Sequence, residues 1–133
     1  MEHTENKQKV LVVEDDPPVL RALVDKLERE GFTVLQGKNG EEGLSVALAQ
    51  HPDIILLDIL MPIMDGTTMM SKIRETDAWG KKVPIILLTN LSTAEIKMVK
   101  AVIESEPAFY LVKTNWSMSD VMEKVRETLQ KAM

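Results

Sequence analysis

The sequence predicts an α/β fold: a five-stranded parallel sheet with helices on both faces. Three observations carry that prediction. Four short apolar runs, at residues 10–13, 54–57, 85–88 and 110–112, end abruptly in polar residues. Stretches with apolar residues at helical spacing alternate with them, and turn or capping residues separate the two kinds of segment. Unbroken apolar runs, rather than alternation with polar residues, are what strands buried on both faces require.

The elements follow in order. The first strand covers residues 9–13. Asp16 caps the first helix, Pro17 takes its first position and Gly31 stops it. Val19, Leu20, Leu23, Val24 and Leu27 form its apolar stripe. Residues 33–36 make the second strand; Asn39 or Gly40 opens a helix that runs to about Gln50 before Pro52. The third strand is 53–57, and Asp65-Gly66 caps a helix over about 67–76. Residues 77–83, with Trp79-Gly80, are expected to be a loop before the fourth strand at 85–88. Ser92-Thr93-Ala94-Glu95 is a capping box for a helix ending near Glu104. A fifth strand at 108–112 and a helix opened by Ser117-Met118-Ser119-Asp120, running to about Gln130, complete the chain.

Alternating strands and helices imply right-handed crossovers. A flavodoxin-like three-layer (βα)5 sandwich with strand order 2-1-3-4-5 is expected. In that order the winding direction reverses between strands 1 and 3, and ligands bind beyond their carboxyl ends. The 133 residues suit one domain, read as a polar tail over 1–8 that is expected to be disordered, followed by the folded unit over 9–133.

Composition narrows the chemistry. There is no cysteine, which excludes disulfides and thiolate catalysis, and His3 and His51 alone do not make a typical zinc site. The net charge of −5 disfavours direct non-specific nucleic-acid binding. The polar N-terminus does not read as a signal peptide, and no run approaches the roughly 20 apolar residues of a membrane helix. A cytoplasmic location is the expectation.

If the strands are parallel, Glu14, Asp15, Asp58, Thr89 and Lys113 converge on one sheet edge. Acids, a hydroxyl and an ammonium in one crevice suit a divalent cation and a phosphoryl group. Magnesium takes oxygen ligands and keeps several waters. Asp15 and Asp58 are the expected direct ligands, with the Leu60 carbonyl nearby and Glu14 acting through water. Asp58 is the expected nucleophile, since carboxylates form acyl phosphates. Lys113 would balance phosphoryl charge and Thr89 would donate a hydrogen bond. Taken singly, each has an ordinary structural role: a cap at Asp16, a solvated lysine, a strand-end threonine. Asp65 reads as a helix cap, Met64 and Met69 as core, and Trp79 and Trp116 as loop residues without an assigned role.

Val12-Val13-Glu14-Asp15-Asp16-Pro17, Leu57-Asp58-Ile59-Leu60-Met61-Pro62-Ile63-Met64-Asp65-Gly66, Leu88-Thr89 and Val112-Lys113 together resemble the response-regulator receiver domain of bacterial two-component phosphorelay signalling. The resemblance spans residues 10–129. It implies that Asp58 accepts phosphate from a sensor histidine kinase or phosphotransfer protein with Mg2+. It implies that Thr89 and Tyr110 are switch residues. They would reshape the face made by the helix after Ser92, the fifth strand and the last helix, where a downstream target or a second copy would bind. Two positions depart from the family. Asn90 replaces a usually small residue, and its larger polar side chain is expected either to narrow access to Asp58 or to reach the phosphoryl group. Thr114 replaces the usual proline, so the family's cis bond there is not expected. The rival readings are a degenerate receiver that only binds protein and, less well fitted, a magnesium-dependent phosphatase of the haloacid dehalogenase type. The latter would make Glu14 the nucleophile. A signalling domain rather than a turnover enzyme is the leading expectation.

Overall fold

The computed structural model describes residues 7–90, 109–112 and 116–132, with the side chains of Thr89 and of residues 109–112 outside the description. The elements are β1 (Lys9–Val13), α1 (Pro17–Arg29), β2 (Thr33–Gly37), α2 (Gly40–Gln50), β3 (Ile54–Asp58), α3 (Gly66–Arg74), α4 (Ala78–Lys82), β4 (Ile85–Thr89), β5 (Phe109–Val112) and α5 (Met118–Ala132). All five strands are parallel, in the order β2-β1-β3-β4-β5. The expected helix after Ser92 lies outside the described residues.

The unbroken apolar runs are explained by the two cores they serve. Side chains alternate across a strand. Val10, Val12, Ile54, Leu56, Ile86 and Leu88 therefore pack on one face against α1 and α5, through residues such as Leu23, Leu27, Val121 and Val125. Leu11, Val13, Ile55, Leu57, Ile85 and Leu87 pack on the other face with Ala47, Met69, Met70 and Ile73 of α2 and α3. Each fully buried aliphatic side chain contributes about 1.5–3 kcal/mol relative to exposure. Met69 is core as expected, Met64 is half-buried against the second cluster, and Trp116 packs on the first.

Helix starts follow the polar residues that precede them. Asp16, Asn39, Asp65 and Asp77 each accept a hydrogen bond from an amide of the first turn. Before α5, the Ser117 amide donates to Asp120 Oδ2 at 2.8 Å and the Asp120 amide to Ser117 Oγ at 3.2 Å, the reciprocal box the sequence suggests.

Burial pushes the Asp65 carboxyl up, but hydrogen bonds from Thr68 and Thr67 outweigh it and hold the group below its ordinary 3.8. A carboxyl lowered in the folded state stabilises the fold above its unfolded pKa, and that contribution disappears as pH falls through the folded pKa. Asp65→Asn, which still caps, should flatten the loss of stability below about pH 4, while Asp65→Ala should cost about 1 kcal/mol at neutral pH. Urea midpoints measured across pH check both; identical pH profiles for parent and Asp65→Asn would count against this cap.

One correction concerns residues 77–83. They are not an open loop but hold the short helix α4. Trp79 has a clear place: its ring stacks on His51 with centroids 4.3 Å apart, and its Nε1 donates to the Pro52 carbonyl at 3.0 Å. His51, φ 46°, closes α2 in the left-handed region and lies 3.8 Å from Asp77.

Candidate functional site

Strands β1 and β3 are adjacent and end level, with Val13 paired to Leu57. The residues that leave them therefore meet. One carboxylate oxygen from each of Glu14, Asp15 and Asp58 falls within a group whose members all lie within 4.8 Å of one another. Glu14 is fully buried and Asp58 is 5% exposed, whereas Asp15 faces solvent. Among the described residues, Glu14 and Asp58 are the buried acids, and both belong to this cluster.

Local hydrogen bonds fix their poses. The Glu14 amide donates to the Gly37 carbonyl at 3.0 Å, and Glu14 Oε2 accepts from the Asp16 amide at 3.2 Å. Asp58, the last residue of β3, accepts the Leu60 amide on Oδ1 at 3.3 Å. Leu60 itself is 58% exposed beside the acids.

The loop from Ile59 to Asp65 is closed at its base: the Gly66 amide donates to the Ile59 carbonyl at 2.8 Å. A Cβ at Gly66 would stand 2.2 Å from the Asp58 carbonyl oxygen, so the turn requires glycine. Within the loop Ile63 adopts φ 71°, a left-handed conformation that costs an L-residue about 1–2 kcal/mol. No sequence signal pointed to that conformation, since a β-branched residue is a poor choice for it.

The remaining expected site residues stand as follows. Thr89 ends β4, and its register partner is Val112 of β5, so the backbone brings Thr89 to the same carboxyl edge. Tyr110 pairs in register with Leu87, one strand removed from β3. The side chains of Thr89 and Tyr110, and Lys113 and Thr114 entirely, lie outside the described residues. Asn90 is exposed.

Three carboxylates, two of them withdrawn from water, form an all-oxygen donor set. Hard divalent cations favour such sets, and magnesium in particular is held by one or two carboxylates with retained waters. The chemistry of the donors therefore fits a magnesium site. One of the two buried members of that set is an aspartate, Asp58, at the end of a central strand.

Fold and site define an open α/β module with an acid crevice at the point where winding reverses. Its class is shown by the match of residues 10–126 to the response regulator receiver domain. The chain belongs to that family, whose members are signalling domains of two-component systems. It is 35% identical over 127 residues to the transcriptional regulatory protein ResD of Bacillus subtilis (strain 168), covering 96% of this chain and 50% of that one. The chain thus spans about half the length of the curated relatives it matches. Among solved structures, the receiver domain of the Francisella response regulator 1452 superposes with a TM-score of 0.79 at 26% identity, covering 96% of this chain and all of the other. The receiver domain of sensor histidine kinase PA1611 from Pseudomonas aeruginosa PAO1, with a magnesium ion coordinated in its active-site cleft, has a TM-score of 0.79 at 26% identity over 93% of this chain and 98% of that one.

Proposed function

We propose that this receiver is phosphorylated on Asp58 and acts as a signalling switch. The observation that carries the reading is the convergence of Glu14, Asp15 and Asp58 into one buried-to-exposed acid group. The Asp58 carboxylate attacks the phosphorus of a phosphohistidine on a sensor histidine kinase or phosphotransfer protein. An O–P bond forms, the P–N bond breaks, and the imidazole nitrogen keeps the electron pair and takes up a proton. Asp15 and Asp58 would hold Mg2+ directly, with the Leu60 carbonyl, and Glu14 would hold it through water. When bound, the ion neutralises the phosphoryl oxygens.

Lys113 is assigned the role of pairing first with Asp58 and then with the phosphoryl group. Thr89 donates its hydroxyl to a phosphoryl oxygen and Tyr110 turns inward behind it. These charge-assisted contacts bias a two-state surface formed by residues 92–104, β5 and α5, where a downstream protein or a second copy docks. The functional unit is assigned to residues 9–133, with 1–8 as a tail. No helix among the described residues is long and apolar enough to cross a membrane; cytoplasmic action is proposed. The output is a changed surface, not product turnover or direct nucleic-acid contact.

Intact-mass measurement after incubation with acetyl phosphate and Mg2+ tests the assignment. One phosphoryl increment is expected on the parent chain and none on Asp58→Asn. An equal increment on that variant would move the acceptor elsewhere, and continuous release of phosphate from simple esters would favour the phosphatase reading.

A further inference from the structure

We propose that Gly40, which opens α2 away from the acid cluster in sequence, is a positioning residue for the phosphorylation site. The inference rests on the function assigned to Asp58 above. The Gly40 amide donates to the Met64 carbonyl at 3.1 Å, tying the start of α2 to the loop that follows β3. The approach is close: a Cβ on Gly40 would lie 2.2 Å from the Met64 carbonyl oxygen, 2.8 Å from its carbonyl carbon and 2.9 Å from its Cβ. Two of these contacts are to backbone, so no side-chain rotation relieves them.

The same β2–α2 junction also holds the other half of the site. The Gly37 carbonyl accepts the Glu14 amide at 3.0 Å. Between these two contacts the junction is braced. Asn39 Oδ1 accepts the Glu42 amide at 2.8 Å and Glu42 Oε1 accepts the Lys38 amide at 2.9 Å. Four residues, Gly37 to Gly40, thus span from the amide of Glu14 to the loop that carries Leu60. That loop is pinned at Asp58 Oδ1 by Leu60, at Ile59 by Gly66, and at Met64 by Gly40. Met64 follows Ile63, whose left-handed backbone persists only if its surroundings impose it. The Gly40 contact is one such constraint, one residue away. Releasing it lets the loop relax and carries the Leu60 carbonyl and the Asp58 carboxylate out of register with Asp15.

Gly40→Ala tests the clamp on the full chain, with Val125→Ala as a core-destabilised control in the cluster on the other face of the sheet, which holds no residue of the loop. Amide hydrogen exchange across residues 59–66 without metal is expected to speed up about tenfold in Gly40→Ala through local opening. It should remain at the parent's value in Val125→Ala. Magnesium affinity, measured by calorimetry, should weaken about tenfold in Gly40→Ala, as when an outer support of a metal site is lost. The control should retain it. Unchanged loop exchange in Gly40→Ala, or equal loss of magnesium affinity in both variants, overturns the proposal. If Gly40→Ala does not fold, Asn39→Ala loosens the same junction without adding an atom against Met64, and the same ordering is expected. If the parent neither binds magnesium nor gains a phosphoryl group, the reading of Asp58 fails. The exchange result still decides whether Gly40 holds the loop.

Discussion

Arg74→Ala should lower the unfolding free energy by about 3 kcal/mol, through loss of two charge-assisted hydrogen bonds to carbonyls. Half-buried at the end of α3, its guanidinium donates to the Val83 carbonyl at 2.6 Å and the Gly80 carbonyl at 3.0 Å. Burial lowers its pKa from the ordinary arginine value, yet a guanidinium stays charged throughout the accessible pH range. Both acceptors belong to the segment that turns α4 into β4. Val83 is buried, and the carbonyl of Pro84 accepts the Ile55 amide at 3.0 Å, the first rung between β3 and β4. Without Arg74 two carbonyls lose their donor at the point where the central strands begin to pair. Lysine has one ammonium in place of a planar fork, so Arg74→Lys should recover less than half of the loss. Urea unfolding with an unchanged m-value is the measurement. A loss under about 0.5 kcal/mol, the range of ordinary surface substitutions, would show that the pin is dispensable.

That contact illustrates which parts of the molecule the sequence discloses. Strands were legible because runs such as Ile54 to Leu57 serve two cores at once, and no helix face has that pattern. Caps were legible because Asp16, Asp65 and Ser117 act on amides two or three residues away. The helix α4 was not, although Asp77 caps it by accepting the Gly80 amide at 2.8 Å. Five residues are too few to display a 3.6-residue period, and the Trp79 ring finds His51 and Pro52 only through the tertiary fold. Likewise Arg74 looks like an ordinary helix-end cation until its acceptors arrive from six and nine residues on.

The acids of the site were legible for the same reason as the strands: the strand order makes the ends of β1 and β3 neighbours, so Glu14, Asp15 and Asp58 must meet. The supports of that site were less visible. Gly37, Gly40 and Gly43 recur at three-residue intervals, a spacing that hints at close backbone approach but names no partner. Met64 as the partner of Gly40 follows from the path of a loop whose Ile63 violates its own local preference. The structure places the carboxylates and the backbone of Thr89 at the shared edge, and Lys113 remains an assignment from sequence.

Asp15→Asn is expected to remove most of the response of stability to magnesium. Three carboxylates whose oxygens lie within 4.8 Å of one another repel in the absence of a cation. Asp15 is exposed, so screening reduces the repulsion it contributes to about 1 kcal/mol or less. The asparagine variant should therefore be at least as stable as the parent in a chelating buffer. In the parent, a cation that binds the folded state alone adds about 1.4 kcal/mol at ten times its dissociation constant. The variant lacks a negative oxygen at the one solvent-facing position of the set, so this gain should nearly vanish and phosphorylation from acetyl phosphate should slow by about 100-fold, the scale of losing about 2.7 kcal/mol of charge stabilisation. The two curves of midpoint against magnesium concentration should cross. Parallel curves would remove Asp15 from the metal site and leave its carboxylate as a surface charge beside Asp58. A crossing accompanied by an unchanged phosphorylation rate would keep the cation site but detach it from the chemistry at Asp58.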